Sequence, residues 1–444
     1  DEDKKKIDEP LYYTNWKDMI EQNNNSKNDN DLDENIKSQK RTDTACIIYT
    51  SGTGGSPKGV MLSHGAMLTN CSGAQELLKN LISDLSEIRF LSWLPLSHSY
   101  EHTLQFYEMG IAAQIYYAEG IDKLLVNMSE VKPHFMTAVP RFYDSLHTRI
   151  SQGLKKQGKL SQLFFSTTLK LGRKKYNNQK MTSMEKVLNG IMDKIVRKKV
   201  NKRFGGSLRA LVSGGAALNY EVGLYLTALG LPLLQGYGQT ETINIVANFP
   251  GMKIRPGSMG KPCPGLVVDI IDDLGNILSD GEIGHIGIKI TDPYPPGLFH
   301  GYYLDSTKTS EVFRNGWYYS GDTATRDEDG YIWFVGRSDD VISSSGYRIS
   351  PFEVESALIE HSAVAESAVI AKPDSIRGEI VKAYIVLALG YDPSEDLIND
   401  IQNFVKSHSA PYKYPREIEF VTVLPKTISG KIRRVELREK ARKE

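Results

Sequence analysis

The chain has 444 residues, and its 54 lysines and arginines balance 54 aspartates and glutamates, so its formal charge is zero. Single cores stop growing beyond about 250–300 residues, so more than one domain is expected, and a neutral chain is not a whole-surface nucleic-acid binder. Cys46, Cys71 and Cys263 stand far apart with no C-x-x-C pair, which excludes a disulfide scaffold or Cys-rich zinc site and suits a reducing, cytoplasmic compartment. No run of about 18 apolar residues occurs and no apolar stretch follows Asp1-Glu2-Asp3, so neither a membrane span nor a secretory leader is expected.

Residues 1–43 are rich in Asp, Glu, Lys and Asn and read as a flexible lead-in, with Leu11 to Trp16 as a piece able to dock locally. The pattern changes at Thr44. Ala45 to Tyr49 predicts a buried strand ended by a Gly-rich turn. Strand-like runs follow at Phe90–Leu94, Gln114–Tyr117, Phe135–Val139, Leu208–Val212 and Leu231–Leu234, with helical stretches between them, which predicts an α/β sheet. Residues 151–204 form a basic helical insert, including Lys155, Lys156, Lys159, Arg173, Lys174, Lys175, Arg197, Lys198 and Lys199 against only Glu185 and Asp193. Leu160, Leu163, Phe164 and Phe165 give it apolar faces. It is either a solvated basic face or a surface that touches anionic lipid.

After about Pro250 short strands predict a small β-barrel or β-rich region: Leu266–Ile271, Gly287–Ile290 and Tyr331–Val335. Asp327 to Gly330 reads as a hairpin turn and not as a calcium loop, which needs a longer ligand ladder. From Ser338 a compact α+β unit is expected, with helices at Pro351–Glu360 and Leu397–Ser407 and strands at Val364–Ala371 and Val381–Leu389.

The strongest chemical signal is Tyr49 to Gly59, in which four Ser/Thr hydroxyls, four glycines and Lys58 follow a strand. Glycines let backbone wrap an anion, hydroxyls and amides donate to it, and lysine adds charge. The order is not that of a Walker A loop. In Leu233 to Thr242, Gly-flanked Tyr237 can cover a planar base and Glu241 can hold a hard cation such as Mg²⁺. Asp322, after Gly321, can accept from two vicinal hydroxyls, and Arg337 can pair with phosphate or carboxylate. His98-Ser99-Tyr100-Glu101-His102 matches H-x-x-E-H, but so short a pattern arises by chance, and a helix holding His98 at a substrate pocket is the preferred reading.

Those motifs, in that order over residues 44–440, resemble the adenylate-forming superfamily of acyl-CoA synthetases, luciferase-like enzymes and adenylation domains. The resemblance implies a large AMP-binding domain over 44–337, built of α/β sheets and a small β-barrel, and a small C-terminal α+β domain over 338–444. It implies that Thr50, Ser51, Gly52, Thr53, Gly54, Gly55 and Lys58 form the ATP phosphate loop. Gly214, Gly215 and Ala216 would lie beside adenine and the acyl carboxylate. Gln235, Gly236, Tyr237, Gly238, Gln239, Thr240 and Glu241 would hold adenine, α-phosphate and Mg²⁺, with Thr240 and Glu241 in the catalytic set. Asp322 would take the ribose hydroxyls, Arg337 the nucleotide, and Asp339 the hinge. Gly346, Tyr347 and Arg348 would serve the CoA step, and Lys431 the reacting carboxylate.

The resemblance therefore implies a fatty acyl-CoA ligase using ATP, Mg²⁺ and CoA, cytoplasmic or peripheral at the inner face of a membrane. The family has a further long stretch before the phosphate loop, so an N-terminally incomplete enzyme is expected. Up to about Phe249, with Leu94 to His98 and the basic insert, the chain resembles long-chain synthetases. Beyond it, with Ala410 to Arg416, it resembles medium-chain ones, which leaves chain length open. The alternatives are a catalytically dead or truncated nucleotide-binding fragment with a lipid-surface role, and an acyl-AMP ligase that loads a carrier protein.

Overall fold

The computed structural model describes residue 17 and residues 29–50, 57–84, 86–177, 179–248, 252–255, 257–426 and 432–442. The chain divides into two compact units, Asp1–Asp43 and Thr44–Glu444. In the first, where a structureless lead-in is expected, helix α1 spans Asp29–Ser38. Lys37 stands in its last turn, where a cation favours the negative end of the helix dipole. The Leu11 to Trp16 piece lies outside the described residues.

The second unit opens with β1 (Thr44–Thr50), antiparallel to β2 (Lys58–Ser63) in a two-stranded sheet. The strand is where the sequence predicts it, but it is not buried. Its side chains alternate, so Cys46 and Ile48 pack on the core while Ile47 and Tyr49 are exposed. Ser63 then caps α2 (His64–Ile82), its hydroxyl accepting from the Ala66 amide.

Strands and helices next alternate through β3 (Arg89–Ser92), α3 (Ser99–Gly110), β4 (Gln114–Tyr117), α4 (Leu124–Val131), β5 (Phe135–Ala138) and α5 (Pro140–Lys155). After α6 (Lys159–Tyr176), α7 (Ser183–Met192), a π turn (Asp193–Arg197) and α8 (Lys198–Arg203) come β6 (Ala210–Ser213), α9 (Tyr220–Ala228), β7 (Leu233–Gln239), β8 (Ile243–Ala247) and β9 (Lys261–Pro262). They build one seven-stranded sheet, β4-β3-β5-β6-β7-β8-β9. β3 to β7 run parallel, and β8 and β9 are antiparallel. A parallel sheet is covered on both faces, which is why β5 is buried at every position. One face packs Leu91, Met136 and Leu211 on Met128, Tyr143 and Leu226. The other packs Phe90, Phe135 and Ala210 on Tyr107 and Leu78.

The β-rich region consists of β10 (Val268–Ile271), β11 (Gly284–Lys289), α10 (Ser306–Val312), β12 (Phe313–Arg314), β13 (Trp317–Arg326) and β14 (Ile332–Arg337). Its five strands are antiparallel, with β13 central between β11 on one edge and β12 and β14 on the other. The predicted turn joins β13 to β14. Gly330 has a φ of +80°, and Asp327 Oδ1 accepts from the amides of Asp329 and Tyr331, so the acidic run closes a turn.

The α+β unit follows with β15 (Ile342–Ser344), β16 (Tyr347–Ile349), α11 (Pro351–Ile359), β17 (Val364–Asp374), β18 (Gly378–Leu387), α12 (Glu395–His408), β19 (Glu417–Phe420) and α13 (Arg434–Ala441). Its sheet order is β16-β15-β18-β17, with β19 parallel to β18. Helices α11 and α12 cover one face through Val354, Leu358, Ile401 and Val405. Helix α13 covers the other through Leu437 and Ala441.

The basic insert is helical as predicted, although its expected start at residue 151 falls inside α5. Several of its bases are structural. Arg173 pairs with Glu221 at 2.8 Å and Lys174 with Glu185 at 2.6 Å. Arg197 donates to Ala228 O at 2.7 Å, Thr168 O at 3.0 Å, Asn189 Oδ1 at 3.0 Å and Asp193 Oδ1 at 2.6 Å. Phe165 packs against the core, whereas Leu160 and Leu163 are exposed.

Candidate active site

Open α/β sheets bind ligands at the C-terminal ends of their parallel strands. At that end of β6 stand Gly214, Gly215 and Ala216, the last two exposed. A side chain at Gly214 would bring its Cβ within 2.9 Å of the Tyr100 ring, whose hydroxyl donates to Val212 O at 3.2 Å. Gly215 has a φ of +78°. Backbone is thus brought flush to a packed tyrosine there, which explains the Gly-Gly pair physically.

Strand β7 carries Gln235, Gly236, Tyr237, Gly238 and Gln239 to the same edge. The Tyr237 hydroxyl donates to Asp322 Oδ2 at 2.7 Å, and Gln239 Nε2 donates to the same oxygen at 2.8 Å and to Ser320 O at 2.8 Å. Tyr318 in turn donates to Gln239 Oε1 at 3.1 Å. Asp322 is buried on β13, and its cross-strand neighbour on β14 is Arg337. Arg337 Nε lies 3.2 Å from Asp322 Oδ1 as an ion pair. The pair is half-buried, with Asp322 inside and Arg337 partly exposed. Burial first, then the Asp322 carboxylate, hold the Tyr237 phenol well above its usual range.

Past β7 the chain turns through Thr240 and Glu241. The Thr240 hydroxyl is 3.1 Å from that of Ser99, at the start of α3. Tyr302 donates to Glu241 Oε1 at 2.9 Å, and its ring lies beneath Lys58 Nζ, 5.1 Å from the centroid. Thr50 and Lys58 are cross-strand partners, so the two described ends of the predicted phosphate loop are fixed side by side. Ser51, Gly52, Thr53, Gly54, Gly55 and Lys431 lie outside the described residues. Tyr302 and Tyr318 escape sequence reading. Tyr302 reaches the site through an antiparallel bridge to Val60, a long-range pairing with no local signal.

The H-x-x-E-H segment is no zinc site. His98 is the N-cap of α3, its Nδ1 accepting from the Tyr100 amide at 3.2 Å, and His102 Nδ1 lies 3.1 Å from Leu96 O, so both rings are engaged by backbone. Glu101 accepts from Ser92 at 2.6 Å and Thr137 at 2.9 Å in the interior. Among the described residues no group of three His, Cys, Asp or Glu side chains is placed to hold a metal by itself.

Asp339 stands two residues past the end of β14. Arg438 of α13 donates to its carbonyl at 3.3 Å and pairs with Asp340. Arg434 grips Glu355 with two hydrogen bonds of 2.7 and 2.8 Å. Gly346 closes the β15–β16 hairpin. Ser345 and Gly346 have φ of +50° and +82°, as a two-residue type I′ turn requires. Beyond it Tyr347 stacks on Tyr412 at 4.2 Å, and Arg348 is exposed.

These strand ends and loops define an α/β protein whose polar side chains converge where β7 meets β13 and β14. Residues 1–303 match the model of the family described as AMP-binding enzyme, and residues 353–431 match that of the AMP-binding enzyme C-terminal domain. The chain belongs to the AMP-binding enzymes. Acyl-coenzyme A synthetase ACSM3, mitochondrial, of Rattus norvegicus is 54% identical over 237 residues, 53% of this chain and 41% of that enzyme. The 4-hydroxybutyrate–CoA ligase 1 of Metallosphaera sedula is 54% identical over 235 residues, 52% of this chain and 41% of that enzyme. These matches span about two fifths of the curated relatives' length. Among solved structures, the ATP-bound RpMatB-BxBclM chimera B1 gives a TM-score of 0.71 at 28% identity over 90% of this chain and 69% of that one. The o-succinylbenzoate CoA synthetase of Bacillus subtilis with its acyl-adenylate gives 0.69 at 25% identity over 90% and 70%.

Proposed function

We propose that this protein is an ATP-dependent fatty acyl-CoA ligase, forming an acyl-adenylate and then a thioester with CoA. The observation that carries the reading is the continuous segment from Gln235 to Glu241. It ties Asp322 and Arg337 at one end to Tyr302 and Lys58 at the other.

A carboxylate is already ionised at neutral pH, so the first step needs no general base. Its oxygen bonds to the α-phosphorus of ATP as the bond to pyrophosphate breaks. Positioning and charge neutralisation then carry the rate, with Lys58 and Lys431 as the protein cations. Gly214 to Ala216 are assigned to adenine and the acyl carboxylate, Gln235 to Glu241 to adenine, α-phosphate and Mg²⁺, Asp322 to the ribose hydroxyls and Arg337 to the nucleotide. Tyr237 and Gln239 both donate to Asp322 Oδ2, and Arg337 pairs with Oδ1, so the carboxylate is held in one orientation beside the strand end. Glu241 fits Mg²⁺, which takes one or two carboxylates together with substrate phosphates and water. Bound there, the ion neutralises phosphate charge, while Tyr302 orients the carboxylate that holds it.

In the second step the CoA sulfur bonds to the acyl carbon and AMP leaves. Gly346, Tyr347 and Arg348 are assigned to it. We divide the second unit into a large lobe, 44–337, and a small lobe, 338–444, that turn about Asp339 between the steps. The relatives named as CoA ligases favour CoA over a carrier protein as acceptor. We place the reaction in the cytoplasm at an anionic membrane surface, where long-chain acids partition. Purified protein given ATP, Mg²⁺, CoA and short to long fatty acids should release pyrophosphate and acyl-CoA together. Pyrophosphate alone would support a carrier-protein acceptor, and absence of both would defeat the ligase reading.

A further inference from the structure

The helical insert carries an apolar stripe that the core does not use. On α7 and the π turn, Met184, Val187, Ile191 and Ile195 recur at helical spacing and so share one side. They are 81%, 66%, 44% and 36% exposed. The opposite side is spent on the interior, where Asn189 and Met192 are buried. Lys186, Lys194 and Lys198 form the adjacent exposed strip. Across 151–204 there are fifteen bases and two acids, and both acids are engaged internally, Glu185 by Lys174 and Asp193 by Arg197. The charge the stripe presents outward is therefore positive.

We propose that this face docks on an anionic lipid bilayer, the apolar stripe entering the interface and the lysine strip meeting the headgroups. An apolar line edged by lysines is the pattern of a helix lying in the membrane plane. Charge complementarity favours that occupant over a second copy, because a two-fold pairing of this face would set lysines against lysines. Arg173, Lys174 and Arg197 are not part of the surface, being held by protein partners. The inference deepens the membrane placement proposed above. Vesicle binding is read without turnover, so failure here leaves the ligase reading standing.

The test is co-sedimentation of the whole chain with phosphatidylcholine vesicles, with and without phosphatidylglycerol. Binding should require phosphatidylglycerol and weaken as salt shortens the Debye length from about 10 Å at 0.1 M to about 3 Å at 1 M. Lys186→Gln, Lys194→Gln and Lys198→Gln together should lower partitioning by about fivefold per lysine. Val187→Gln with Ile191→Gln should abolish it, while ATP binding and thermal melting stay at parent values because these side chains face outward. Equal binding to neutral vesicles, or parent-like binding by either variant, overturns the proposal. So does a chain that ignores vesicles and forms a dimer which Val187→Gln with Ile191→Gln dissociates, or one that ignores vesicles and is captured by an acidic protein.

Discussion

Asp322 is buried, and two hydroxyl or amide donors and one guanidinium converge on it. Asp322→Asn keeps its shape but removes the nearest counter-charge of Arg337, leaving the more distant Asp339 and Asp340, and faces two donors with an amide. Because Arg337 is partly exposed, solvent screens the loss, and about 1–3 kcal/mol of stability should go. ATP affinity measured by titration calorimetry should fall with it, and unchanged affinity would remove Asp322 from the site. Tyr302→Phe keeps the ring under Lys58 and removes the Tyr302 hydroxyl that donates to Glu241. Losing a hydrogen bond to a charged group, about 1.5 kcal/mol, should raise the Mg²⁺ needed for half-maximal pyrophosphate exchange roughly tenfold. Glu108, elsewhere on α3, is buried with neither carboxyl oxygen hydrogen-bonded among the described residues, and its pKa is pushed up to about 8, by burial first and then by Glu101. Below about pH 4 both folded and unfolded states hold that proton; between roughly pH 4 and 8 only the folded state does, so stability falls by up to about 5 kcal/mol as pH rises. Glu108→Met should flatten that slope in urea titrations across pH. A parent-like slope would show that Glu108 is not the titrating group. Sequence alone makes Asp322, Arg337 and Glu241 visible, because each sits in a short run of glycine, aromatic and acid. Tyr302, Tyr318 and Glu108 are silent in sequence, since only tertiary pairing brings the first two to the site and only burial distinguishes the third.

Helices α6 and α9 approach so closely that a Cβ on Gly172 would fall 2.6 Å from Ala228 O. Arg197 closes the same junction by donating to that carbonyl and to Thr168 O. Gly172→Val should cost about 1–3 kcal/mol through overpacking, read as a lowered urea midpoint with unchanged slope. A stability within error of the parent would mean the helices separate freely. β4 is read from sequence at its observed bounds and β5 within one residue, because short apolar runs between helices have few other readings. β1 shows the limit of that logic: Ala45 to Tyr49 is apolar throughout, yet only alternate residues meet the core. The long strand β13 (Trp317–Arg326) is hidden by its own chemistry, since Gly321-Asp322 reads as a ribose-binding acid before it reads as part of a strand.

At the scale of the whole molecule, the proposed pivot is bracketed by α13. Arg438 holds Asp339 and Asp340, and Arg434 holds Glu355. Proline locks φ near about −65°, so Asp339→Pro should trap one lobe orientation with each lobe folded. Adenylate formation should persist while transfer to CoA fails. Thioester synthesis at the parent rate in a folded Asp339→Pro protein would exclude Asp339 as the pivot.

Strand β1 has a single strand neighbour among the described residues, and half its side chains face outward. Isolated strand pairs are marginal on their own, so β1 can detach from β2 without unfolding the seven-stranded sheet. Amide exchange should register this as a separate, low-energy opening, with β1 protons lost while those of β5 and β6 remain protected. Since β1 ends at Thr50, each such opening also releases one anchor of the loop assigned to phosphate. Bound ATP should therefore slow exchange in β1 far more than in β5.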